Sequence, residues 1–375
     1  MPCNGDHKHS QVLIRFHQWR CALTTQSHLS LRPARVSAAA VARAAGVSSA
    51  TVSYIMNGRP GASPETRRHV LKVANELGYR PANHGQQQDP LLTRVVGLVL
   101  PNIVNQMYTI WAQHIINATA AAGFDVFVAT TGDDPEALDQ VARTLAARNV
   151  DGVIIAAAIK EDSRSLRTFR QKRIPYVCLS RNSEHLPGDF VGIDDDAAAG
   201  ELMSHVLDHG YSEVATVIGP RSSTASLLRE QAFVRVAQQR GVRVAGERLI
   251  STKLSSEGGQ LAAKRLFSSA HPPRAVVCGS DEIAIGVMEH ALSLGLRIPQ
   301  DVAIVGCDGL RHSRSKIIGL TTIVQPVKDM AERSFELLLE QIVEPRNTYK
   351  HTICEHSLHI GRTCGCPATG RMPAL

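Results

Sequence analysis

Nowhere in this sequence do about 18 apolar residues follow one another, as a membrane-spanning helix requires. The first 35 residues also lack the unbroken apolar core of a secretory leader. Arg15, His17, Gln18 and Arg20 interrupt or end the stretch VLIRFHQW. These two absences predict a cytoplasmic chain with no membrane partner. Catalytic signatures are missing too. There is no phosphate loop of the GxxxxGK[ST] or GxGxxG kind, no HExxH and no GxSxG. An enzyme is not expected, nor a cofactor. The eight cysteines are scattered, and three of them, Cys178, Cys278 and Cys307, sit in apolar strand-like runs where a thiol reads as a small core residue. Only Cys364-Gly-Cys366 is closely spaced, and two ligands fall short of the four that a structural zinc site takes. His7 and His9 make a second weak pair. No metal site is expected from either.

What is present is the composition of a globular protein, 43% hydrophobic and 20% charged over 375 residues. That length allows a small head plus one or two domains of ordinary size. Charge is segregated. Residues 1–84 carry eleven Lys/Arg against three Asp/Glu, a surplus of eight, while the whole chain has a net charge of +7. The remaining residues are therefore near neutral, and a basic N-terminal end on a neutral body suits phosphate binding by that end alone.

The basic end contains VSAAAVARAAGVSSATVSYIMNGRPGASPETRRHVLKVANELGYRP, residues 36–81. Three short helices are predicted. Ser37, Ser48 and Ser63 are placed as N-caps, Pro64 takes a first turn, and Gly46, Asn57-Gly58 and Gly78 close the helices. Val41, Ala45, Val47, Val52, Ile55, Val70, Leu71, Ala74 and Leu77 recur at helical spacing and form the expected core. Gly46 and Val47 fit the tight bend of a helix-turn-helix, whose second helix enters the DNA major groove. On that helix Ser48, Thr51, Ser53 and Asn57 suit phosphate contacts, and Ser49, Ala50 and Tyr54 face base edges. An ordinary three-helix bundle would share the periodicity.

The two stretches VARAAGVSSATVSYIMNG and SPETRRHVLKVANELGYRP, in this order and spacing, closely resemble the DNA-binding head of lactose-repressor (LacI) family regulators. The resemblance implies double-stranded operator DNA as the partner. It also frames two departures. Family heads begin near the chain start, so residues 1–35 read either as a disordered basic extension or as the product of an upstream start codon. Relatives follow the head with a hinge helix whose leucine wedges into the minor groove. Here residues 82–93 form a hinge or plain linker in which Gln88 stands at the leucine's place, and Gly85 and Pro90 disfavour helix.

From residue 94 to 363 the pattern becomes strand, helix, strand, helix. RVVGLVLP, DVFVATT, DGVIIAAA, PYVCLS, FVGIDD, VATVIG, AVVCGSD and VAIVGCD read as buried parallel strands, with helices between them. The expected fold is therefore an all-α helix-turn-helix head plus an α/β body of two doubly wound subdomains. The segments VGLVLPNIVNQMY, GPRSSTASLLREQAF, CGSDEIAIGVM and LTTIVQP resemble the periplasmic-binding-protein-like effector domain of the same family. That resemblance implies three chain crossings between subdomains, near residues 194–196, Gln325 and His351. The tail, 364–375, has two prolines and no leucine heptads, which predicts a homodimer rather than a tetramer.

Ligands in such folds bind beyond the carboxyl ends of strands. Asn102, Asn105, Tyr108, Ser180, Arg181, Arg229, Ser280, Asp281, Asp308 and Gln325 occupy those positions or the later crossing and are the candidate effector-binding residues. Asp281 and the run Asp194–Asp196 also fit helix caps. Amides, carboxylates and guanidinium groups suit a polyol, and Arg229 also suits a carboxylate. Ser180, Ser280 and Gly309 stand where sugar-binding relatives often carry Asp, Asn and Asp, which gives weight to a sugar acid beside a sugar. The function expected is a sequence-specific DNA-binding transcription regulator, a repressor on a pseudo-palindromic operator, controlled by a small-molecule effector between the subdomains. The alternative is a solute-binding protein with no DNA role.

Overall fold

In the computed structural model, which describes residues 37–56, 62–77, 92–185 and 187–366, the chain divides into two units, Met1–Pro90 and Leu91–Leu375. The described part of the first unit is three helices, α1 (Ala38–Ala45), α2 (Ser49–Met56) and α3 (Pro64–Glu76). Serine starts each one. Ser37 Oγ accepts from the Ala40 amide at 3.2 Å, Ser48 Oγ from Thr51 at 3.0 Å and Ser63 Oγ from Thr66 at 3.2 Å. Gly46 ends α1 at φ 64°, a backbone conformation that costs glycine nothing. Val41, Ala42, Ala45, Val52, Ile55, Val70 and Ala74 form the core, with Val47 packed against it. Leu71 and Leu77, expected in that core, are instead 43% and 40% exposed. The buried stripe of α3 is Val70 and Ala74, one turn apart. Leu71 lies about 100° around the helix from Val70, and Leu77 follows the last helical residue. Residues 1–35, the helix ends expected at Asn57-Gly58 and Gly78, and most of the 82–93 segment lie outside the described residues.

The second unit alternates as the sequence predicts. Its first lobe opens with β1 (Val95–Leu100), α4 (Gln106–Ala121), β2 (Asp125–Thr130), α5 (Pro135–Ala147) and β3 (Gly152–Ile155). It continues with α6 (Arg164–Gln171), β4 (Tyr176–Leu179) and β5 (Asp189–Ile193). The chain then enters the second lobe through α7 (Asp195–Asp208), β6 (Val214–Ile218), α8 (Thr224–Gln239), β7 (Leu249–Ser251) and α9 (Ser256–Phe267). There follow β8 (Ala275–Cys278), α10 (Asp281–Ser293), β9 (Ala303–Asp308) and β10 (Thr321–Val324). It returns with α11 (Val327–Val343) and β11 (His351–Cys354), and crosses again to β12 (Ser357–His359). The first sheet runs β11-β5-β4-β3-β1-β2 and is parallel throughout. The second runs β12-β10-β9-β8-β6-β7, with β12 antiparallel to β10. Three crossings join the lobes, as the family resemblance implies. The short strands β7, β11 and β12 carry no long apolar run and were not legible.

Helices cover both faces of each sheet, so successive strand residues bury on opposite sides. Val96, Leu98 and Leu100 of β1 join the cluster with α4 and α11, whereas Val99 joins Leu138, Leu145 and Phe169 of α5 and α6. In the second lobe Val217, Val276 and Ile304 pack under α9 and α10. Cys178, Cys278 and Cys307 are buried free thiols among these side chains, and burial raises the pKa of each. Among the described residues no helix is long and apolar enough to cross a membrane.

Candidate functional site

On α2 the buried Val52 and Ile55 fix which face points outward. Ser49, Ala50, Ser53 and Tyr54 are exposed together, Tyr54 at 49%. The N-terminal turn is locked by Ser48, whose hydroxyl also meets Thr51 Oγ1 at 2.8 Å. Thr51 is half-buried, so its hydroxyl serves the cap first. Asn57 lies outside the described residues.

The second feature is the cleft between the lobes. Among the described residues four hydrogen bonds cross it. Lys160 N donates to Ser222 O at 2.7 Å, Asn182 N to Thr224 Oγ1 at 3.1 Å and Asn105 Nδ2 to Leu254 O at 3.4 Å, while His312 Nδ1 and Gln106 Oε1 lie 2.6 Å apart. The cleft is closed around a space of about 410 Å³, part of it open to solvent.

Eight of the ten candidate residues line this space: Asn105, Tyr108, Ser180, Arg181, Arg229, Ser280, Asp308 and Gln325. Two do not. Asn102 spends its side chain on the loop, accepting from the Val104 and Asn105 amides at 3.0 and 2.9 Å. Asp281 is fully buried, accepting from Thr322 Oγ1 at 2.5 Å and from the Leu310 amide at 2.8 Å, so it ties β10 and the β9 loop to α10. Asn105 and Ser280 have dual roles, since each caps a helix, α4 and α10, at the cavity wall.

The charged groups are already paired. Arg229 is buried, its Nε donates to Asp195 Oδ1 at 2.7 Å and its Nη1 to Gly279 O at 2.7 Å, and Nη1 lies 3.7 Å from Asp308 Oδ1. Burial is the largest single effect and would lower the Arg229 pKa, but Asp195, Cys307 and Asp308 together outweigh it and the pKa is raised. Arg181 donates to Asp133 Oδ1 at 2.5 Å and to Tyr108 Oη at 2.7 Å. Burial, then the neighbouring Asp281 carboxylate, push Asp308 up to about 8, only partly opposed by Arg229. Of the acidic run, Asp194 caps α7 through the Ala197 amide at 2.9 Å, and Asp196 pairs with Arg235 at the surface. Asp195 is the one of the three that pairs with a residue of the cavity lining, Arg229.

Of the departures from the sugar-binding pattern, Gly309 acquires a physical reason and Ser180 does not. Ser180 adopts φ 65°, a left-handed conformation uncommon for serine, and so turns the chain at the cavity wall just before Arg181. Gly309 has φ 71°, and a Cβ there would come within 2.5 Å of Val324 Cα, so no aspartate fits without moving β10.

Sequence reasoning missed Trp111, Met107, Ser223, Ser226 and Leu254 in the lining. Trp111 was within reach, because it follows Tyr108 by three residues on α4 and shares its face. Its indole Nε1 is buried with no hydrogen-bond partner among protein atoms. The same holds for Gln325 Oε1, whose amide partner Nε2 donates to Asp308 Oδ1 at 2.9 Å.

Comparison with known proteins bears on both features. Residues 39–82 match the model of bacterial regulatory proteins of the lacI family, and residues 203–364 match that of a periplasmic binding protein-like domain. The chain is 33% identical over 296 residues to the HTH-type transcriptional regulator DegA of Bacillus subtilis (strain 168), a match covering 78% of this chain and 88% of DegA. The solved transcriptional regulator CelR–cellobiose complex is similar at 25% identity with a TM-score of 0.66, over 88% of this chain and 100% of that one. The Lac repressor dimer bound to operator and the anti-inducer ONPF has a TM-score of 0.74 over 88% of this chain and 99% of its own, at 23% identity, which speaks to the fold alone. The helix-turn-helix match removes the alternative of a solute-binding protein without a DNA role. The chain belongs to the lacI family of bacterial regulatory proteins and is a DNA-binding transcriptional regulator, not an enzyme.

Proposed function

We propose that this regulator is a cytoplasmic homodimeric repressor whose two copies of α2 read the half-sites of a pseudo-palindromic operator, and that its effector is a neutral polyhydroxylated molecule of the sugar class held between the lobes. The observation that carries the effector reading is the pair of orphaned polar atoms in the cavity lining. Trp111 Nε1 is a donor without an acceptor, and Gln325 Oε1 is an acceptor without a donor. A buried polar atom left unpaired costs about 1–3 kcal/mol, and a hydroxyl group satisfies both kinds because it donates and accepts. The arginines that suggested a sugar acid favour it less. Asp195 neutralises Arg229 and Asp133 neutralises Arg181, so an added carboxylate finds no unpaired cation among them. A ligand that satisfies groups from both lobes favours the closed cleft, and in this fold lobe closure is the element that a ligand biases.

Calorimetric titration of the full chain with neutral sugars and with the corresponding aldonic acids tests this. A neutral ligand is expected to bind more tightly than its acid, and Trp111→Phe, which keeps the apolar ring and removes the N–H, is expected to weaken it about tenfold, the value of one hydrogen bond. Tightest binding by an anion, or unchanged affinity in Trp111→Phe, overturns the reading.

A further inference from the structure

The tail cysteines meet two histidines in the fold. His205 lies in the last turn of α7 and His209 follows as its C-cap, so the two project from one helical face at i, i+4 spacing. Their rings lie 5.0 Å apart at 87°. Cys366 Sγ is 3.3 Å from His209 Nε2 and 3.8 Å from His205 Nε2. Cys364 is fully buried beside them, and one donor atom from each of the four residues falls within 4.8 Å of the others. Among the described residues no other group of three or more His, Cys, Asp or Glu is so placed.

We propose that His205, His209, Cys364 and Cys366 form a structural zinc site that fastens the end of the body to the C-terminus of α7. Bonds of about 2.3 Å to sulfur and about 2.0–2.1 Å to nitrogen make the sulfur–nitrogen edge of a tetrahedron roughly 3.6 Å. The two sulfur–nitrogen distances here bracket that edge. Two thiolates and two imidazoles are a donor set that selects zinc among the common divalent ions. The cysteines are free thiols rather than a disulfide.

The two halves of the site are each held before any ion arrives. On one side is a regular helix, whose C-terminal carbonyls favour a cation. On the other, Ile304 N donates to Thr363 O at 3.0 Å, Thr321 N to Thr363 Oγ1 at 3.0 Å and Arg362 N to Gly319 O at 2.7 Å, which pins the segment before Cys364 along β9 and β10. Gly365 at φ 101° turns the chain between the two sulfurs, and a Cβ there would lie 2.9 Å from Tyr211 Oη. The turn that brings both thiols to one side therefore depends on glycine. Neither helix spacing nor the Cys-Gly-Cys pair shows this, because the partners are about 160 residues apart in sequence.

The test uses the purified full chain, stripped of metal and reconstituted under a phosphine reductant with zinc or with cobalt(II). About one zinc per chain is expected, and the cobalt form should show the intense visible bands of tetrahedral geometry with sulfur-to-cobalt charge transfer. Cys364→Ser/Cys366→Ser and, separately, His205→Asn/His209→Asn should weaken zinc binding by at least about a hundredfold and abolish the charge-transfer band or the tetrahedral bands respectively. The wild-type cobalt spectrum decides the matter even where a variant folds poorly. Failure to bind stoichiometric metal, an octahedral spectrum without charge transfer, or full metal retention in both variants, which would assign the ion to Cys3, His7, His9 or Cys21, overturns the proposal.

Discussion

Replacing Arg229 with methionine keeps most of the side-chain volume and removes the charge that faces Asp195. Both partners of that ion pair are under 10% exposed, and they meet at 2.7 Å. Breaking a buried pair from one side leaves a carboxylate without a counter-ion in a low-dielectric site, which costs roughly 3–5 kcal/mol. The lost hydrogen bond to Gly279 O is part of that loss and is worth about 1.5–3 kcal/mol, as bonds from a charged donor are. Burial already raises the Asp195 pKa, and Arg229 is the main group opposing it. Without Arg229 the carboxyl takes up a proton more readily, so the destabilisation should shrink as pH falls. In the double variant Arg229→Met/Asp195→Asn no charge is stranded, and only about 1–3 kcal/mol should remain lost. Urea unfolding of the full chain, followed by circular dichroism with and without Asp195→Asn, measures all three quantities. A single variant within about 1 kcal/mol of the parent, or a double variant no more stable than the single, refutes the reasoning. Either result would mean that Arg229 is not committed to Asp195 and stands ready for an anionic ligand instead.

Tyr54→Ala should change the consensus returned by selection from random duplexes, because Tyr54 is exposed beside Ser53 and Ala50 on α2, whereas Arg68→Ala on α3 should leave it unchanged; the same consensus for Tyr54→Ala and the parent would count against α2 as the reading helix. Asp308 has a raised pKa, so its favourable contribution to stability is complete below the unfolded carboxylate value near 4 and is lost as pH rises through about 8. The midpoint of thermal unfolding should therefore fall between about pH 5 and pH 9, and Asp308→Asn, which stays neutral, should flatten that slope; an unchanged slope would show that the proton resides elsewhere.

The head and the alternation of the body were legible because their determinants are local. A serine three residues before an amide, a glycine at a positive φ and a run of β-branched residues act within one turn or one strand, and they appear in the structure where the sequence places them. The exposed Leu71 marks the limit of such patterning, since an apolar residue one position off the buried stripe of α3 satisfies helical spacing without reaching the core. The cleft was legible as an address and not as an electrostatic state. Asn102 and Asn105 follow the same strand and look alike in sequence, but one folds its amide oxygen back on the loop and the other caps α4 at the cavity wall. Asp281 lies three residues beyond β8 and Asp308 ends β9, and contacts with Thr322 and Leu310, 41 and 29 residues away from Asp281, turn Asp281 inward.

Those long-range partners decide the chemistry. An unpaired arginine at the head of a cleft selects an anion, and the same arginine salt-bridged and buried becomes a fixed donor array with no net attraction for one. Arg229 meets Asp195 across 34 residues of chain and Arg181 meets Asp133 across 48. No spacing rule connects these pairs, so the residues alone left sugar and sugar acid open. Once the pairs are seen, the groups still lacking partners are the neutral Trp111 N–H and Gln325 C=O. On the proposed function the selectivity of the cleft rests on hydroxyl groups rather than charge, and pairing within the protein is what would determine which kind of molecule completes it.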